Sequence, residues 1–438
     1  MKKICILNYG CISHVSQFQQ LIKNLEDEYE ITLFPNRADV IVEYFCFICG
    51  PLYETIAEEL TYIKYVRKTG STYIIVGCAV DVFGDDFFEE YSDYSFPSEN
   101  WVDSVVQLLT RHKLQDEYYL PDNKHYFDID IVGGCVRKGG YCTFCKQNYL
   151  HRRVKSMSID EVVALATKVT QNSNVTNIIL SGLNTCNYGI DIGDRSQKLH
   201  LLIRKVSEIP TVKQLTVVSL TAGDMYEELI EELATNPKID EISLGFQSGS
   251  DTMLKIMNIH TTVEQLQYLI GRLSHKPNRT IMVIGHPGET DKTIQETIDF
   301  IKKNNLWYVQ AEIFENSIGL PSNEMVQLPK EEQKRYLSLV KGVIRDLARD
   351  FVSQLIDTTI ECYYESYEFY KDENRTYIWL KAVDYKLNVV FFPAEEDCDE
   401  LKEIPYGAKV KCRIMGHYRI TPPHVSVIAD ELEVIECE

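Results

Sequence analysis

The sequence predicts an α/β protein in three parts: an amino-terminal parallel βα domain, a partial (β/α)6 barrel and a small carboxy-terminal antiparallel β-barrel. Three observations carry this expectation. Short apolar runs alternate with amphipathic helical stretches through residues 4–76 and again through 126–314, the pattern of parallel sheets with helical crossovers. A Tyr-, Ser- and Asp-rich stretch at 81–100, a helical segment at 101–112 and Pro121 separate these blocks and set a boundary near Asp122. Beyond a helical segment at 330–356 the pattern changes to β-branched and aromatic runs broken by Asp, Pro and Gly. The expected domains are therefore 1–122, 123–352 and 353–438.

In the first domain, strands are expected at 4–7, 31–34, 40–45 and 72–76, with helices at 18–25 and 56–66. Cys11, Cys46 and Cys78 each stand just past the carboxyl end of a strand. In a parallel sheet those ends share one edge, where ligands usually bind, so three cysteines far apart in sequence are expected to meet there as a second metal centre, the alternative for any one of them being a merely buried thiol. Cys49 rivals Cys46, because Cys46-Phe-Ile-Cys49 is itself a Cys-x-x-Cys; the strand-end position favours Cys46. Residues 81–100 lack periodicity and are expected to form a loop.

The second block repeats strands at 126–132, 175–180, 215–218, 242–246, 280–284 and 308–314, with helices between them. Its chemically distinctive residues follow the strands: Cys135, Ser181-Gly182, Ser219, Gln247 to Ser250, and Gly285-His-Pro-Gly-Glu-Thr290. In barrels of this type the chemistry sits at that face. The first of these stretches, Cys135-Val-Arg-Lys-Gly-Gly-Tyr-Cys142-Thr-Phe-Cys145, brings three thiols and two glycines together. Three thiolates suit three irons of a four-iron cluster, leaving one iron open for a substrate or cofactor. Zinc with a distant fourth ligand and metal-free buried thiols are the alternatives.

The last block reads as about five strands, at 360–364, 376–382, 387–392, 409–415 and 426–428, which suits a small barrel. Cys362, Cys398, Cys412 and Cys437 show no metal-ligand spacing and are read as bystanders.

Composition narrows the functional classes. No run of about 18 apolar residues and no secretory pattern is seen, so a cytoplasmic protein with no membrane partner is expected. Thirteen cysteines without an export signal point to metal or redox chemistry rather than disulfides. The net charge of −20 is concentrated at the ends: residues 1–120 carry 9 basic against 19 acidic side chains, and residues 351–438 carry 9 against 18. Nucleic-acid binding relies on clustered cations, so this balance disfavours RNA.

Cys142-Thr-Phe-Cys145, Gln247-Ser-Gly-Ser-Asp251, Pro287-Gly-Glu-Thr290, Ala38-Asp-Val-Ile-Val42 ahead of Cys46, and Tyr9-Gly-Cys11 together resemble the radical S-adenosylmethionine methylthiotransferases. The resemblance covers nearly the whole chain, in the family's order of amino-terminal cluster domain, radical domain and TRAM-type barrel. It implies that Cys135, Cys142 and Cys145 ligate a [4Fe-4S] cluster whose open iron takes the amino and carboxylate groups of S-adenosylmethionine. It implies too that Phe144 stands near the adenine, and that Gly182, Ser219, Gln247, Ile284, Gly285 and Gly288 lie in the strand-end regions holding that cofactor. Cys11, Cys46 and Cys78 match the ligands of an auxiliary [4Fe-4S] cluster that carries the sulfur. The implied reaction uses two cofactor molecules, one to methylate a sulfur on the auxiliary cluster and one to yield a 5′-deoxyadenosyl radical. That radical takes hydrogen from an unactivated C–H bond, and the carbon radical captures the methylthio group. An external electron donor of flavodoxin or ferredoxin type is implied.

The chain departs from the family in several places. Six residues separate Cys135 from Cys142 where the family usually has three, an extension costing about 0.5 kcal/mol of loop-closure entropy. Arg137 and Lys138 in that loop are candidates for a substrate contact. His14 replaces a common Asn, Tyr44-Phe45 replaces a polar pair, and His286 replaces an aromatic, for which a packing or hydrogen-bonding role is expected. Arg152 and Arg153 are candidates for clamping a carboxylate.

The acidic terminal barrel and the altered cluster loop favour a peptide or protein side chain as the acceptor, in a ribosomally made precursor peptide or a ribosomal protein. The rival acceptor is N6-threonylcarbamoyladenosine in tRNA. It is favoured by the likeness of residues 184–189 and Asn236-Pro-Lys238 to that branch, and by Lys409, Lys411, Arg413 and Arg419 as a basic strip. From another class, a two-cluster electron-transfer protein would cleave no S-adenosylmethionine. The strand-end glycines and Gln247 to Ser250 disfavour it, because an electron carrier needs no cofactor pocket.

Overall fold

The computed structural model describes residues 1–9, 15–46, 53–115, 117–120, 126–137, 139–147, 153–193, 198–276, 278–317, 319–370, 375–382, 387–391, 404, 408–421 and 424–436. Cys11, His14, Cys49, Lys138, Arg152, Cys398 and Cys437 lie outside them. The chain forms two compact units: Met1–Leu120 with Asp128–Asp130 and Cys145–Arg153, and Pro121–Phe127 with Ile131–Phe144 and Val154–Glu438.

The first unit holds a five-stranded parallel sheet in the order β2-β1-β3-β4-β5, with β1 Lys2–Tyr9, β2 Tyr29–Ile31, β3 Val40–Phe45, β4 Thr72–Val76 and β5 Tyr94–Phe96. All six residues of β3 are buried, as a central parallel strand covered on both faces requires. Phe18, Tyr44 and Trp101 meet with ring centroids 5.1–5.7 Å apart and anchor two helices, Val15–Leu25 and Trp101–Thr110, on the sheet. Residues 81–100, expected as a loop, contain the end of helix Cys78–Phe83, the helix Asp85–Phe88 and β5. A four-residue helix and a three-residue strand are too short to show a period; Phe83, Phe87 and Phe88 stack together to hold them.

The second unit opens with a seven-stranded sheet in the order β12-β11-β10-β9-β8-β6-β7. Its strands are β6 Tyr126–Gly133, β7 Lys155–Ser156, β8 Asn177–Gly182, β9 Gln214–Thr221, β10 Ile239–Gly245, β11 Asn278–Ile284 and β12 Val309–Ile313. Strands β8 to β12 pair in parallel in chain order, and β7 closes the edge antiparallel to β6. Capping boxes at Ser158/Glu161, Thr262/Gln265 and Thr290/Thr293 start the helices Ile159–Gln171, Val263–Leu273 and Asp291–Lys303.

Helix Lys330–Leu355 buries Tyr336, Val340, Ile344, Ala348 and Val352 at helical spacing, and its Phe351 stacks on Trp307 at 4.4 Å and 12°. It leads into a closed barrel, order β13-β14-β15-β17-β16, made of β13 Thr359–Tyr370, β14 Arg375–Ala382, β15 Asn388–Phe391, β16 Lys409–Thr421 and β17 His424–Glu436. Four of its five pairings are antiparallel and β15–β17 is parallel. Parity dictates this: a closed ring with an odd number of strands cannot alternate direction all the way round. Cys362 and Cys412 face each other in the barrel core with their sulfurs 3.5 Å apart.

Candidate active site

Strands β8 to β11 end side by side, with left-handed backbone at three positions in or just past them. Ser219 has φ 60°, Gln247 φ 67° and Gly285 φ 86°, values costly for the first two because they carry a Cβ. Ser219 was expected beyond its strand but lies inside β9. Register jumps there from Ile242↔Val217 to Leu244↔Leu220, so Val218 and Ser219 oppose Ser243 in a bulge. Gln247 continues the ladder past β10: its N–H donates to the Ile281 carbonyl at 2.9 Å and its carbonyl accepts from Val283 N–H at 3.0 Å. A Cβ on Gly182 would stand 2.6 Å from the Val132 carbonyl oxygen. That close approach puts the carboxyl end of β6, and the loop starting at Cys135, on the same edge as the end of β8.

After Ile284 the chain turns at Gly285 and Gly288, at φ 86° and 90°. Gly285 N–H donates to the buried Glu289 carboxylate, and Gln333 Nε2 donates to the Gly285 carbonyl at 2.9 Å. Burial pushes the Glu289 carboxyl up to about 7 despite that amide. His286 is fully buried, and its Nδ1 lies 2.8 Å from the Pro287 carbonyl. A carbonyl only accepts, so Nδ1 carries the proton and Nε2 accepts from Thr143 Oγ1 at 2.9 Å. Burial holds the His286 pKa below its ordinary value and keeps the ring neutral. Phe144 and Phe314 meet its ring edge-on at 6.0 and 5.0 Å.

The cysteine loop is held by polar side chains. Asn187 Oδ1 accepts from Val136 N–H at 2.8 Å, and Thr143 N–H donates to the Met257 carbonyl at 3.0 Å. Cys135, Cys142 and Cys145 are all half-buried. Asn184 Nδ2 points at the Cys135 sulfur at 3.6 Å, and Arg137 Nη1 donates to the Cys142 sulfur at 2.6 Å. Burial raises the pKa of both thiols, while Asn184 and Arg137 oppose that rise at Cys135 and Arg137 opposes it at Cys142. Among the described residues no three His, Cys, Asp or Glu side chains converge on a single ion. A four-iron cluster asks for no such convergence, because each thiolate binds its own iron, and N–H donors on the sulfurs suit its charge. The residues present fit a cluster better than zinc.

In the first unit, β3 pairs with β4 so that Tyr44 faces Val76. Cys46 directly follows β3, and Cys78 opens a helix two residues after β4. Both are 1% exposed, and the Cys78 sulfur lies 3.8 Å from the Phe45 carbonyl. Strand β1 ends at Tyr9 opposite Phe45. Gly77, at φ 111°, makes the turn into Cys78; a Cβ there would sit 2.8 Å from the Phe45 carbonyl oxygen.

Sequence reasoning missed Asn184, Asp224 and Asn258. Asn184 follows β8 two residues after Gly182, and Asp224 follows β9, so strand-end position was an available signal for both. Asn258 sits in a loop after helix Asp251–Ile256 and carries no local signal. Arg137, a candidate for a substrate contact, has a side chain that is 7% exposed. Arg153 is exposed.

Residues 129–301 match the family model for the radical SAM superfamily. A ribosomal protein uS12 methylthiotransferase, RimO, of Clostridium perfringens is 27% identical over 82% of this chain and 86% of its own length. A tRNA-2-methylthio-N(6)-dimethylallyladenosine synthase of Pseudothermotoga lettingae is 24% identical over 82% and 88%. Among solved structures, the radical S-adenosylmethionine methyltransferase TsrM of Kitasatospora setae, with cobalamin and a [4Fe-4S] cluster bound, superposes with a TM-score of 0.53. It is 12% identical and covers 74% of this chain and 77% of its own, a likeness of fold. No helix among the described residues is long and apolar enough to cross a membrane. The chain thus carries a radical SAM domain over residues 129–301 and is similar over most of its length to methylthiotransferases, a likeness that implies [4Fe-4S] clusters and S-adenosylmethionine as cofactors.

Proposed function

We propose that this enzyme inserts a methylthio group at an unactivated C–H bond of a peptide or protein side chain, in a ribosomally made precursor peptide or a ribosomal protein of the cytoplasm. The observation that carries a polypeptide over RNA is the charge of the terminal barrel. Lys409 bonds Glu361 at 2.7 Å, and Arg413 pairs with Asp430 at 2.9 Å and with Glu431 at 3.4 Å. Two of the four cations of the expected basic strip are thus neutralised by the barrel itself, where RNA binding needs cations free to replace counterions. The name of the Clostridium relative supports the same reading.

In this reading Cys135, Cys142 and Cys145 hold the radical cluster, and Cys11, Cys46 and Cys78 hold the auxiliary one. Phe144, Gly182, Ser219, Gln247, Ile284, Gly285 and Gly288 form the bed for S-adenosylmethionine. When bound, these groups supply a one-electron cleavage of the cofactor and the sulfur for transfer, the electron coming from a donor of flavodoxin or ferredoxin type. The chain supplies shape and dryness. The bulge at Ser219 and the left-handed turns at Gln247 and Gly285 open the strand ends. Phe144, His286 and Phe314 build an apolar wall that keeps water from a reactive radical. His286 has both ring nitrogens engaged, so it positions Thr143 rather than shuttling a proton.

A second reading, methylthiolation of tRNA at N6-threonylcarbamoyladenosine, draws support from the similarity to the tRNA-modifying enzyme of P. lettingae. Anaerobic incubation with S-adenosylmethionine and reductant separates the two, with tRNA, ribosomal proteins and neighbouring-gene peptides offered in parallel. The expected result is 5′-deoxyadenosine together with a polypeptide whose mass rises by CH3S replacing H. Methylthiolated RNA alone would overturn the preference.

A further inference from the structure

The lengthened segment between Cys135 and Cys142 folds back on itself. Gly140 N–H donates to the Arg137 carbonyl at 3.2 Å, and Gly139 and Gly140 adopt φ 85° and 91°. Asn258 Nδ2 lies 3.1, 3.4 and 2.9 Å from the carbonyls of Gly139, Gly140 and Tyr141 and pins the turn from outside. A side chain at 139 would collide with His260, 2.7 Å from the position of a Cβ. This turn returns the Arg137 guanidinium to the Cys142 sulfur, at 2.6 Å. Its nearest carboxylate is Asp224, with Oδ2 3.9 Å from Nε, and Asp224 also accepts from Asn184 Nδ2 at 2.8 Å. A guanidinium cannot shed its proton in a protein, so the positive charge beside the sulfur is permanent.

We propose that Arg137 sets the reduction potential of the cluster held by Cys135, Cys142 and Cys145, by fixing a cation and an N–H donor on the Cys142 sulfur. The proposal rests on the cluster assignment made above. Reduction adds one electron, from a donor of flavodoxin or ferredoxin type, and neither makes nor breaks a bond; Arg137 keeps its proton throughout. The reduced cluster is one unit more negative than the oxidised one, so a nearby cation stabilises it more and raises the potential. Asp224 acts in the opposite sense. The six-residue spacing is what lets a residue of the cysteine loop itself reach a ligand sulfur.

The test is an anaerobic potentiometric titration of the full-length reconstituted protein, followed by electron paramagnetic resonance. Cys46→Ala and Cys78→Ala in the background leave one cluster to read. At the parent midpoint, Arg137→Gln should hold about tenfold less reduced relative to oxidised cluster, equivalent to about 59 mV for one electron. Arg137→Lys should fall between parent and Gln, and Asp224→Asn should shift the midpoint upward. A fully loaded Arg137→Gln variant with the parent midpoint overturns the proposal, as does an Asp224→Asn midpoint that is unchanged or lower. Should the Gln variant fail to load, Asp224→Asn and Arg137→Lys decide by the same signs. A parent that takes up no cluster at these cysteines overturns the cluster assignment and the proposal together, whereas loaded variants that all share the parent midpoint overturn the role of Arg137 alone.

Discussion

The two sets of cysteines are positioned by different physics. In the second unit, Cys135 and Cys142 sit on a loop whose shape is imposed by side chains: Asn258 on its carbonyls, Asn187 on Val136, Asn184 and Arg137 on the sulfurs. In the first unit, Cys46 and Cys78 stand just past the ends of the neighbouring strands β3 and β4, with a glycine turn ahead of Cys78. A loop held by polar side chains brings charge and donors to its thiols, so it can tune them. A strand edge fixes where thiols stand through the backbone of the sheet.

The largest expected effect tests whether the two sets do separate jobs. Replacing Cys135, Cys142 or Cys145 with Ala should abolish 5′-deoxyadenosine formation. Cys46→Ala or Cys78→Ala should leave cofactor cleavage in place while sulfur insertion disappears. In each case iron should fall from about eight to about four per chain, if each site holds a four-iron cluster as proposed. Intact sulfur insertion in Cys78→Ala would break the comparison at its root.

Next in size come two glycines, one beside each set. Gly77→Ala would push a Cβ to 2.8 Å from the Phe45 carbonyl oxygen in a left-handed conformation; Gly182→Ala would push one to 2.6 Å from that of Val132. Each should cost about 2–4 kcal/mol, from overpacking and, at Gly77, backbone strain. A drop in melting temperature measures it. Because Gly77 makes the turn into Cys78, its variant should lose iron selectively from the auxiliary site. Gly182→Ala should spare that site and disturb the loop at Cys135. Equal iron loss from both sites in either variant would contradict the separation.

Much of this was legible in the chain. β3 and β4 fall where their apolar runs begin and end, and that precision made Cys46 and Cys78 readable as lying past neighbouring strand ends. The strand-helix repeat of the second unit placed Gly182, Gln247 and Gly285 at strand ends. Ser219 was misplaced because a bulge breaks the two-residue period that defines a strand end. Arg137 and Asn258 were not legible for a different reason. They act across 119 to 117 residues of sequence, in the case of Asn258, through a turn whose direction depends on two glycines, and no local pattern states where such a side chain lands.

A smaller effect contrasts the interiors of the two units through pH. Burial first, and then the charge of Glu59, lift the Glu43 carboxyl on β3 from 4.5 to about 8, against the pull of the Tyr73 hydroxyl that donates to it. The folded protein therefore keeps a proton that the unfolded chain loses above pH 4.5. The contribution is complete below 4.5 and is lost as pH rises toward 8, by up to roughly 1.4 kcal/mol per pH unit. Glu289 in the second unit, raised to about 7, gives the same sign over a window about one unit shorter. Glu43→Gln keeps an acceptor for Tyr73 but cannot ionise, so the decline in urea midpoint between pH 5.5 and 7.5 should flatten. An unchanged slope would mean that Glu43 is ionised in the fold.

The smallest effect isolates the side-chain clamp that distinguishes the loop from the strand edge. Asn258 occupies a left-handed conformation at φ 58° and reaches three consecutive carbonyls with one carboxamide nitrogen. One nitrogen has two protons, so two of the three contacts are full hydrogen bonds at a time, worth about 1–2 kcal/mol net. Asn258→Ala would add the strain of a left-handed alanine, which Asn258→Gly avoids, so the glycine variant reads the clamp itself. Its melting temperature should move little, because the loop is an edge of the fold rather than its core. The visible change should be local: faster amide exchange at Gly139 to Tyr141 and quicker loss of iron from the Cys135, Cys142 and Cys145 site on dilution into chelator. Retention of iron by the auxiliary site should match the parent, since Asn258 bonds the carbonyls of the cysteine loop. Exchange at 139–141 as slow as in the parent would show that the glycine turn holds its shape unaided, and that the cysteine loop is as self-sufficient as the strand edge.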